Sequence, residues 1–328
     1  MRAAVVRSFD APPKYEWFAT PESNDPNEVV VDVLAAGLHP RVRSGASGRH
    51  YSSTGSLPIV PGIDGVGQLP DGRRVYFVTV DDARGSMAER AVVDVRRTVP
   101  LPEGVDVVKV AAAMNPAMSS WVALRRRVQL QPGQSVLVLG ATGNAGSMAI
   151  QVARRLGAGR VIGAGRNPGR LAALSELGAD EVVALDDASV LGAAAADVDV
   201  VVDYVWGAPA VRAMVAILEA RADRSRALDW IQIGAVAGAT IELPSAALRA
   251  ANLRVQGSGQ GAVSTAAYVA ELPALVDEIR RGAIAVRTQA VPLAEVERAW
   301  SAAETAGVRT VLVPDVHCCV VPRGWSRG

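Results

Sequence analysis

The sequence predicts an α/β protein in which a doubly wound parallel sheet is joined to a β-rich domain, and three observations carry that prediction. Residues Ser135 to Gly146 run from an apolar strand into a glycine turn that opens a helix. Downstream of them, short apolar runs alternate with helical periods, the order that gives parallel strands joined by right-handed crossovers. Upstream, the first hundred residues alternate short β-like runs with turns. With 328 residues the chain is long enough for two domains of ordinary size.

The glycine turn organises the reading. Val136, Leu137, Val138 and Leu139 form an uninterrupted β-former run, as expected for a strand buried on both faces. Gly140, Gly143 and Gly146 make the turn. Ala145, Met148, Ala149, Val152, Ala153 and Leu156 then fall on one helical face, and Gly157 ends the helix. This order aims main-chain N–H groups and the positive helix end at an anion, which suits a dinucleotide pyrophosphate. A second apolar strand, at 161–164, completes the βαβ unit. An Asp or Glu at its end would bind a ribose 2′-hydroxyl and repel a 2′-phosphate. The chain instead reads Gly163-Ala164-Gly165-Arg166-Asn167, which leaves room for a phosphate beside a guanidinium. The expected cofactor is NADP(H), on Ala141, Thr142, Gly143, Asn144, Ala145, Gly146, Gly165, Arg166 and Asn167. Val205, Gly234, Ala235, Val236, Ser258 and Gly259 follow other strand ends, where an open sheet binds ligands; the competing reading is that their glycines only permit turns.

Taken in order, the chain predicts strands at 3–6, 28–34, 65–69, 75–80 and 88–94, with Pro12-Pro13, Pro21 and Asp25-Pro26 punctuating the first connection. Residues 40–61 have no clean period and are rich in Gly, Ser and Arg, a long connection expected to line a cleft. Helical spacing appears at 105–114 and 119–128. Beyond the βαβ unit come a helix near 170–177, strands at 181–185 and 199–203, a helix at 208–220, and strands near 228–233 and 253–257. The chain then turns helical through 268–281 and 294–306 and finishes on a strand at 310–313, a portion expected to rejoin the N-terminal domain. Residues 315–328 show no pattern and are expected to be a disordered tail; adjacent His317, Cys318 and Cys319 make poor tetrahedral geometry for a metal.

Composition narrows the function classes. A formal charge of +1 leaves no electrostatic footprint for nucleic acid or an acidic membrane. No 18-residue apolar run stands out, and the first seven residues are too short and too soon charged for a signal peptide, so a cytoplasmic location is expected. Cys318 and Cys319 are the only cysteines, which rules out a disulfide framework and a four-cysteine zinc lobe.

Several ordered motifs carry a family resemblance: Gly62-Ile63-Asp64-Gly65-Val66-Gly67 after Pro61, Asp71-Gly72-Arg73-Arg74-Val75, Met87-Ala88-Glu89-Arg90-Ala91-Val92-Val93, Ala141-Thr142-Gly143-Asn144-Ala145-Gly146, Leu177-Gly178-Ala179-Asp180 and Ile233-Gly234. To Pro314 the chain resembles the medium-chain dehydrogenase/reductase superfamily, in its zinc-independent quinone oxidoreductase branch. The resemblance implies a GroES-like catalytic domain from 1–118 and 259–314, a Rossmann NADP-binding domain at 119–258, a hydride-transfer cleft where they meet, and a homodimer. The positions matching the zinc ligands of metal-dependent relatives are His39, Ile63 and Asn115, and one imidazole with one amide does not hold Zn²⁺. No metal is therefore expected, and the substrate must carry its own electron sink, as quinones and enones do.

The resemblance also proposes site residues. Tyr51, after Gly48-Arg49-His50, falls where relatives place a tyrosine near the substrate oxygen, against the reading of a rim aromatic. His39, where the branch usually has Asn, is either an oxyanion stabiliser or a structural histidine. Ser119 matches a threonine near the nicotinamide, or else caps a helix start. Asp64 reads as structural between Gly62 and Gly65, and Arg41 and Arg43 read as a solvated face before an anion site. The expected function is an NADPH-dependent, metal-free reductase of a quinone or other conjugated carbonyl. The alternatives are an enoyl-thioester reductase of a biosynthetic pathway and a non-catalytic NADP(H)-binding sensor. The glycine string also resembles the turn of NmrA-like regulators, whose copy opens the chain.

Overall fold

In the computed structural model the described residues are 1–50, 53, 55–79, 81, 83–259, 261–302 and 307–315. The chain divides into two compact units, the first of Met1–Thr98, Ala290–Ala303 and Thr310–Gly328, the second of Val99–Gln289 and Glu304–Arg309.

In the first unit β1 (Arg2–Val5) pairs antiparallel with β2 (Lys14–Trp17), a four-residue strand that the proline-punctuated connection conceals in sequence. The long strand β3 (Glu28–Gly37) is followed by α1 (Pro40–Ala46), β4 (Asp64–Gln68), β5 (Arg74–Val78), β6 (Arg90–Asp94) and β7 (Thr98–Pro100). Along its length β3 changes partners, from β6 at Glu28–Asp32 to β4 at Asp32–Ala35 with a register shift between Val33 and Ala35. That irregularity bends the strand and steers its exit at Gly37 into α1. The 40–61 segment, expected to be loop throughout, thus contains a helix. Pro40 presets the first helical position, and Val42 and Ala46 are buried one turn apart; seven residues are too few for the period to show.

The second unit opens with α2 (Val107–Val122), which merges the two expected helices into one. Pro116 lies inside it without ending it, and a π-helical turn, Ala123–Arg127, extends it. Residues Val107–Arg127 are long and apolar enough to cross a membrane by length and composition, but 72% of that window is buried inside the protein, as in a core helix. Then follow β8 (Ser135–Leu139), α3 (Asn144–Arg155), β9 (Arg160–Gly165), α4 (Pro168–Ala172), β10 (Glu181–Ala184), α5 (Ala188–Ala194), β11 (Val200–Asp203), α6 (Gly207–Ala220), β12 (Leu228–Gln232), α7 (Ser245–Arg249), β13 (Leu253–Gly257), α8 (Thr265–Val269) and α9 (Leu272–Arg280). The six strands form one sheet in the order β10–β9–β8–β11–β12–β13, every pair parallel. Strand order reverses between β8 and β11, and such a switch point opens a ligand crevice at the strands' carboxyl ends. A core of Leu137, Leu139, Ile162, Val201, Met214 and Trp230 lies among the residues that fill this unit.

Residues 259–289, expected to return to the catalytic side, belong to this second unit. The reason is a buried anchor: Glu271, 2% exposed, accepts a hydrogen bond from the Trp121 indole at 3.1 Å and pairs with Arg125 and Arg126 of the π turn. The chain leaves through β14 (Arg287–Pro292), α10 (Val296–Ser301) and β15 (Val308–Val313), which pairs antiparallel with the end of β3 at Gly37 and Ala36. The mixed sheet of the first unit runs β14–β15–β3–β4–β5–β7, with β6 on β3. The expected helix at 294–306 is a shorter α10 after a 3₁₀ turn, and its end at 303–306 lies outside the described residues, as does the tail from 316.

Candidate functional site

The second unit contributes a cradle built from main chain. Gly140 takes φ +80° directly after the buried strand β8, a conformation that would strain a side chain. Gly143 forms the N-cap of the 12-residue α3 and supplies no side-chain cap, so the first-turn N–H groups of that helix face outward. At Gly146 an added Cβ would collide with the Gly140 carbonyl oxygen and stand 2.7 Å from Ala141 Cα. Strand, turn and helix are therefore packed as tightly as a phosphate-binding turn requires, and a pyrophosphate fits the outward N–H groups and the helix end. Ala141 is buried and donates its N–H to Ala164 at 2.9 Å, while Thr142, Asn144 and Ala145 stay partly exposed around the turn.

Gly165 ends β9 against Thr142, whose Cγ2 would stand 2.5 Å from an added Cβ. Arg166 is exposed beyond it, and the next residues, Asn167 and Pro168, bring no acid to the strand end. Asn167 is partly committed: its side-chain oxygen caps α4 by accepting from the Arg170 N–H at 3.0 Å. Sequence reasoning missed Arg170. Its guanidinium donates to the Thr142 carbonyl at 3.3 Å, which puts a second positive group beside the cradle. Arg166 precedes the extended N-cap Asn167 and Arg170 lies in the first turn of α4, so no helical spacing links the two in the sequence.

At the carboxyl end of β11 the chain is tied in place. Asp203, fully buried, accepts from the Val205 and Trp206 N–H groups at 2.7 and 2.9 Å and from the Trp230 indole at 3.0 Å, and burial pushes its pKa up. Trp206 is held at φ +52°, a strained position for a bulky residue. Val205 is buried, 3.2 Å from where a Gly140 Cβ would be, so it braces the glycine turn from below. Gly234 lies so close to Tyr204 that an added Cβ would approach its carbonyl at 2.7 Å. Ala235, Val236 and Gly259 are exposed beyond the strand ends, whereas Ser258 is buried with its N–H on Gln232.

Ser119 is not a helix-starting cap. It lies inside α2, where its hydroxyl is 2.8 Å from the Pro116 carbonyl and 2.8 Å from the Tyr204 hydroxyl.

The first unit holds a side-chain cluster that sequence reading left dispersed. His39 is the N-cap residue of α1, Asp64 opens β4 and Tyr76 lies in β5. Tyr76 pairs with Val66, two residues beyond Asp64, so the Asp64 and Tyr76 side chains share one face of the sheet. The Asp64 carboxylate is 3.2 Å from His39 Nε2 through one oxygen and accepts from the Tyr76 hydroxyl at 2.7 Å through the other. All three residues are at most 2% exposed. Asp64 is thus a buried carboxylate that fixes a histidine ring, more than the turn residue its glycine neighbours suggested. Arg43, read as part of a solvated face, donates to the Trp300 carbonyl at 2.5 Å and stacks 5.2 Å from that indole's centroid. Tyr51 lies outside the described residues.

Comparison with known proteins adds an independent finding. The family model described as zinc-binding dehydrogenase matches residues 145–279, a stretch that contains none of His39, Ile63 and Asn115. A probable NADPH-dependent quinone reductase of Emericella nidulans is 31% identical over 96% of this chain and 100% of its own length. A quinone oxidoreductase of Rattus norvegicus is 34% identical over 56% of this chain and 58% of its own. Among solved structures, the quinone oxidoreductase of Thermus thermophilus, determined also in complex with NADPH, superposes with a TM-score of 0.79 at 28% identity, covering 95% of this chain and all of the other.

Proposed function

The chain belongs to the medium-chain dehydrogenase/reductase superfamily, within its quinone oxidoreductase-like branch, and on that premise we propose that it reduces a quinone or related conjugated carbonyl without a bound metal, as a cytoplasmic homodimer. It is an NADPH-dependent oxidoreductase. The observation that carries the cofactor reading is the tight glycine turn at the head of α3, followed by Gly165-Arg166 where an NAD-selective site would have an acid.

When bound, NADPH supplies the hydride. The residues that would hold it are the turn from Gly140 to Gly146, which takes the pyrophosphate on main-chain N–H groups, and Arg166, which takes the 2′-phosphate. Reduction of a conjugated carbonyl also consumes a proton, and negative charge develops on the substrate oxygen as the hydride arrives. We assign His39 to that oxygen. Its ring is held through Nε2–H on the Asp64 carboxylate, which Tyr76 anchors in turn, so the group that meets the substrate oxygen in this assignment is the Nδ1–H of the imidazolium; a preorganised donor stabilises developing charge at no reorganisation cost. The donor set supports metal-free chemistry: Ile63 has no lone pair to offer, and the Asp64 carboxylate is already engaged by two side chains. The dimer reading is supported by β13, an edge strand of the parallel sheet whose Arg254 and Val255 are exposed; an open edge is a template for a second copy.

The test is NADPH oxidation against a panel of quinones, enones and enoyl thioesters. Turnover with quinones and enones supports the proposal; tight NADPH binding with no oxidation of any of them overturns it and leaves a sensor. His39→Ala should slow turnover about tenfold or more, as loss of one oxyanion donor does elsewhere. A rate within about twofold of the parent removes His39 from the chemistry.

A further inference from the structure

The C-terminal return of the chain frames His39 inside the first unit. The Leu38 N–H donates to the Thr310 carbonyl at 3.0 Å, next to the pairing of β15 with Gly37 and Ala36, so the main chain arrives at His39 already fixed. On the other side stands α1, which is less secure by its own means. Seven residues are too few for a helix to persist alone, and the N-cap position, His39 itself, makes no side-chain cap bond. Tertiary anchors keep it in place. Val42 and Ala46 bury apolar surface, and Arg43 is the polar anchor.

Arg43 closes the end of another helix. Helix α10 finishes at Ser301 with an extended C-cap residue, Ala302, in place of a left-handed glycine, so its last carbonyls are left to outside donors. Two of them receive the Arg43 guanidinium. Its Nη1 stands 2.5 Å from the Trp300 carbonyl and its Nη2 3.4 Å from that of Ala299, with the guanidinium carbon 5.2 Å from the Trp300 ring centroid. A planar fork meets two carbonyls and an indole face together, which a single ammonium cannot. Trp300 in turn packs against two buried clusters that hold α1, one containing Val42 and the other Ala46. Arg43 lies one helical turn from His39, and its own N–H donates to the His39 carbonyl at 3.1 Å. A shift of Arg43 is therefore passed to His39.

We infer that Arg43 is a positioning residue for the reaction: by seating α1 on the end of α10, it sets where the His39 Nδ1–H meets the substrate oxygen. This rests on the assignment of His39 to that oxygen. Placement matters because an oxyanion donor acts through geometry, and a displacement of about 1 Å forfeits much of its effect.

The experiment is a double-mutant cycle on the full chain, reading kcat with NADPH and 1,4-naphthoquinone at saturation and the NADPH dissociation constant by titration without quinone. Arg43→Met keeps the length of the stem and removes every donor. It should lower kcat about three- to tenfold in the parent but by less than about twofold in the His39→Ala background, where there is no imidazole left to misplace. NADPH affinity should stay within about twofold, because the cradle's contacts lie in the second unit. Arg43→Lys keeps the charge without the fork and should show the same coupling at smaller amplitude. It carries the cycle should Arg43→Met not accumulate folded. If Arg43→Met leaves kcat unchanged, costs the same factor in both backgrounds, or weakens NADPH binding as much as it slows turnover, the positioning role is overturned while His39 keeps its assignment. If His39→Ala alone stays within about twofold of the parent, it is the assignment of His39 that fails, and the inference goes with it.

Discussion

The glycine turn of the second unit and the His39–Asp64–Tyr76 cluster of the first unit are both polar arrangements supported by strands, but they are made from different materials. The turn is main chain: its donors are peptide N–H groups, and the side chains that matter are the missing ones at Gly140, Gly143 and Gly146. The cluster is side chain: an imidazole, a carboxylate and a phenol meet because β4 pairs with β5 in one register and β3 delivers its exit to α1. A main-chain site tolerates no added volume and is indifferent to charge chemistry. A side-chain site tolerates a change of volume better than the loss of one partner, because each buried polar atom then stands without a mate.

The largest effect should come from filling the turn. Gly146→Val puts a branched side chain against the Gly140 carbonyl and the Ala141 Cα, neither of which is the end of a flexible side chain. NADPH binding should weaken about a hundredfold, the upper end of an overpacking penalty. Isothermal titration checks it, and affinity within about threefold of the parent would break the main-chain account of the cradle.

Next in size is the loss of the shared carboxylate. Asp64→Ala leaves the His39 Nε2 and Tyr76 hydroxyl contacts without their common acceptor, and unfolding in urea should show a loss of about 2–4 kcal/mol. Tyr76→Phe removes one donor and leaves the carboxylate its contact with His39, so its cost should be smaller, about 1 kcal/mol. Equal losses in the two variants would mean that the carboxylate is not the centre of the cluster. NADPH affinity should hold in both, since the cradle's own contacts lie within the second unit.

The same contrast explains what could be read from the sequence. The turn was legible because its residues are adjacent: an apolar run, three glycines and an amphipathic helix state the geometry within about twenty positions, the span of a fingerprint. The parallel sheet was legible for the same reason, strand by strand. The cluster was not, because residues 39, 64 and 76 are joined only by strand register, which no local pattern announces. Ser119 and Tyr204 meet across 85 positions for the same reason. Helical spacing showed over 105–114 and 119–128 but not between them, and α2 nevertheless runs unbroken through the buried Pro116, a residue that by local rules ends or kinks a helix. Residues 259–289 were misplaced because the helical period says nothing of which unit a helix joins; the buried Glu271 anchor on Trp121 and the arginine pair decides it.

The smallest expected effect concerns the one part of the cradle that is side chain. Arg166 is exposed, so its attraction for a 2′-phosphate is screened by water and salt. Arg166→Ala should weaken NADPH binding about three- to tenfold at low ionic strength, less at high salt, and leave NADH affinity unchanged. Arg170 sharpens the test, because its guanidinium is already held on the Thr142 carbonyl and so carries a second positive charge next to the turn. If Arg166 alone reads the phosphate, adding Arg170→Ala should disturb NADPH and NADH binding alike, through the turn. If the two share it, the double variant should lose further preference for NADPH over NADH. Equal loss of both cofactors in Arg166→Ala itself would mean that Arg166 does not read the phosphate, and equal loss again in the double variant would exclude Arg170 as well and leave selectivity to the main chain, where the division between the two kinds of site would fail inside the cradle.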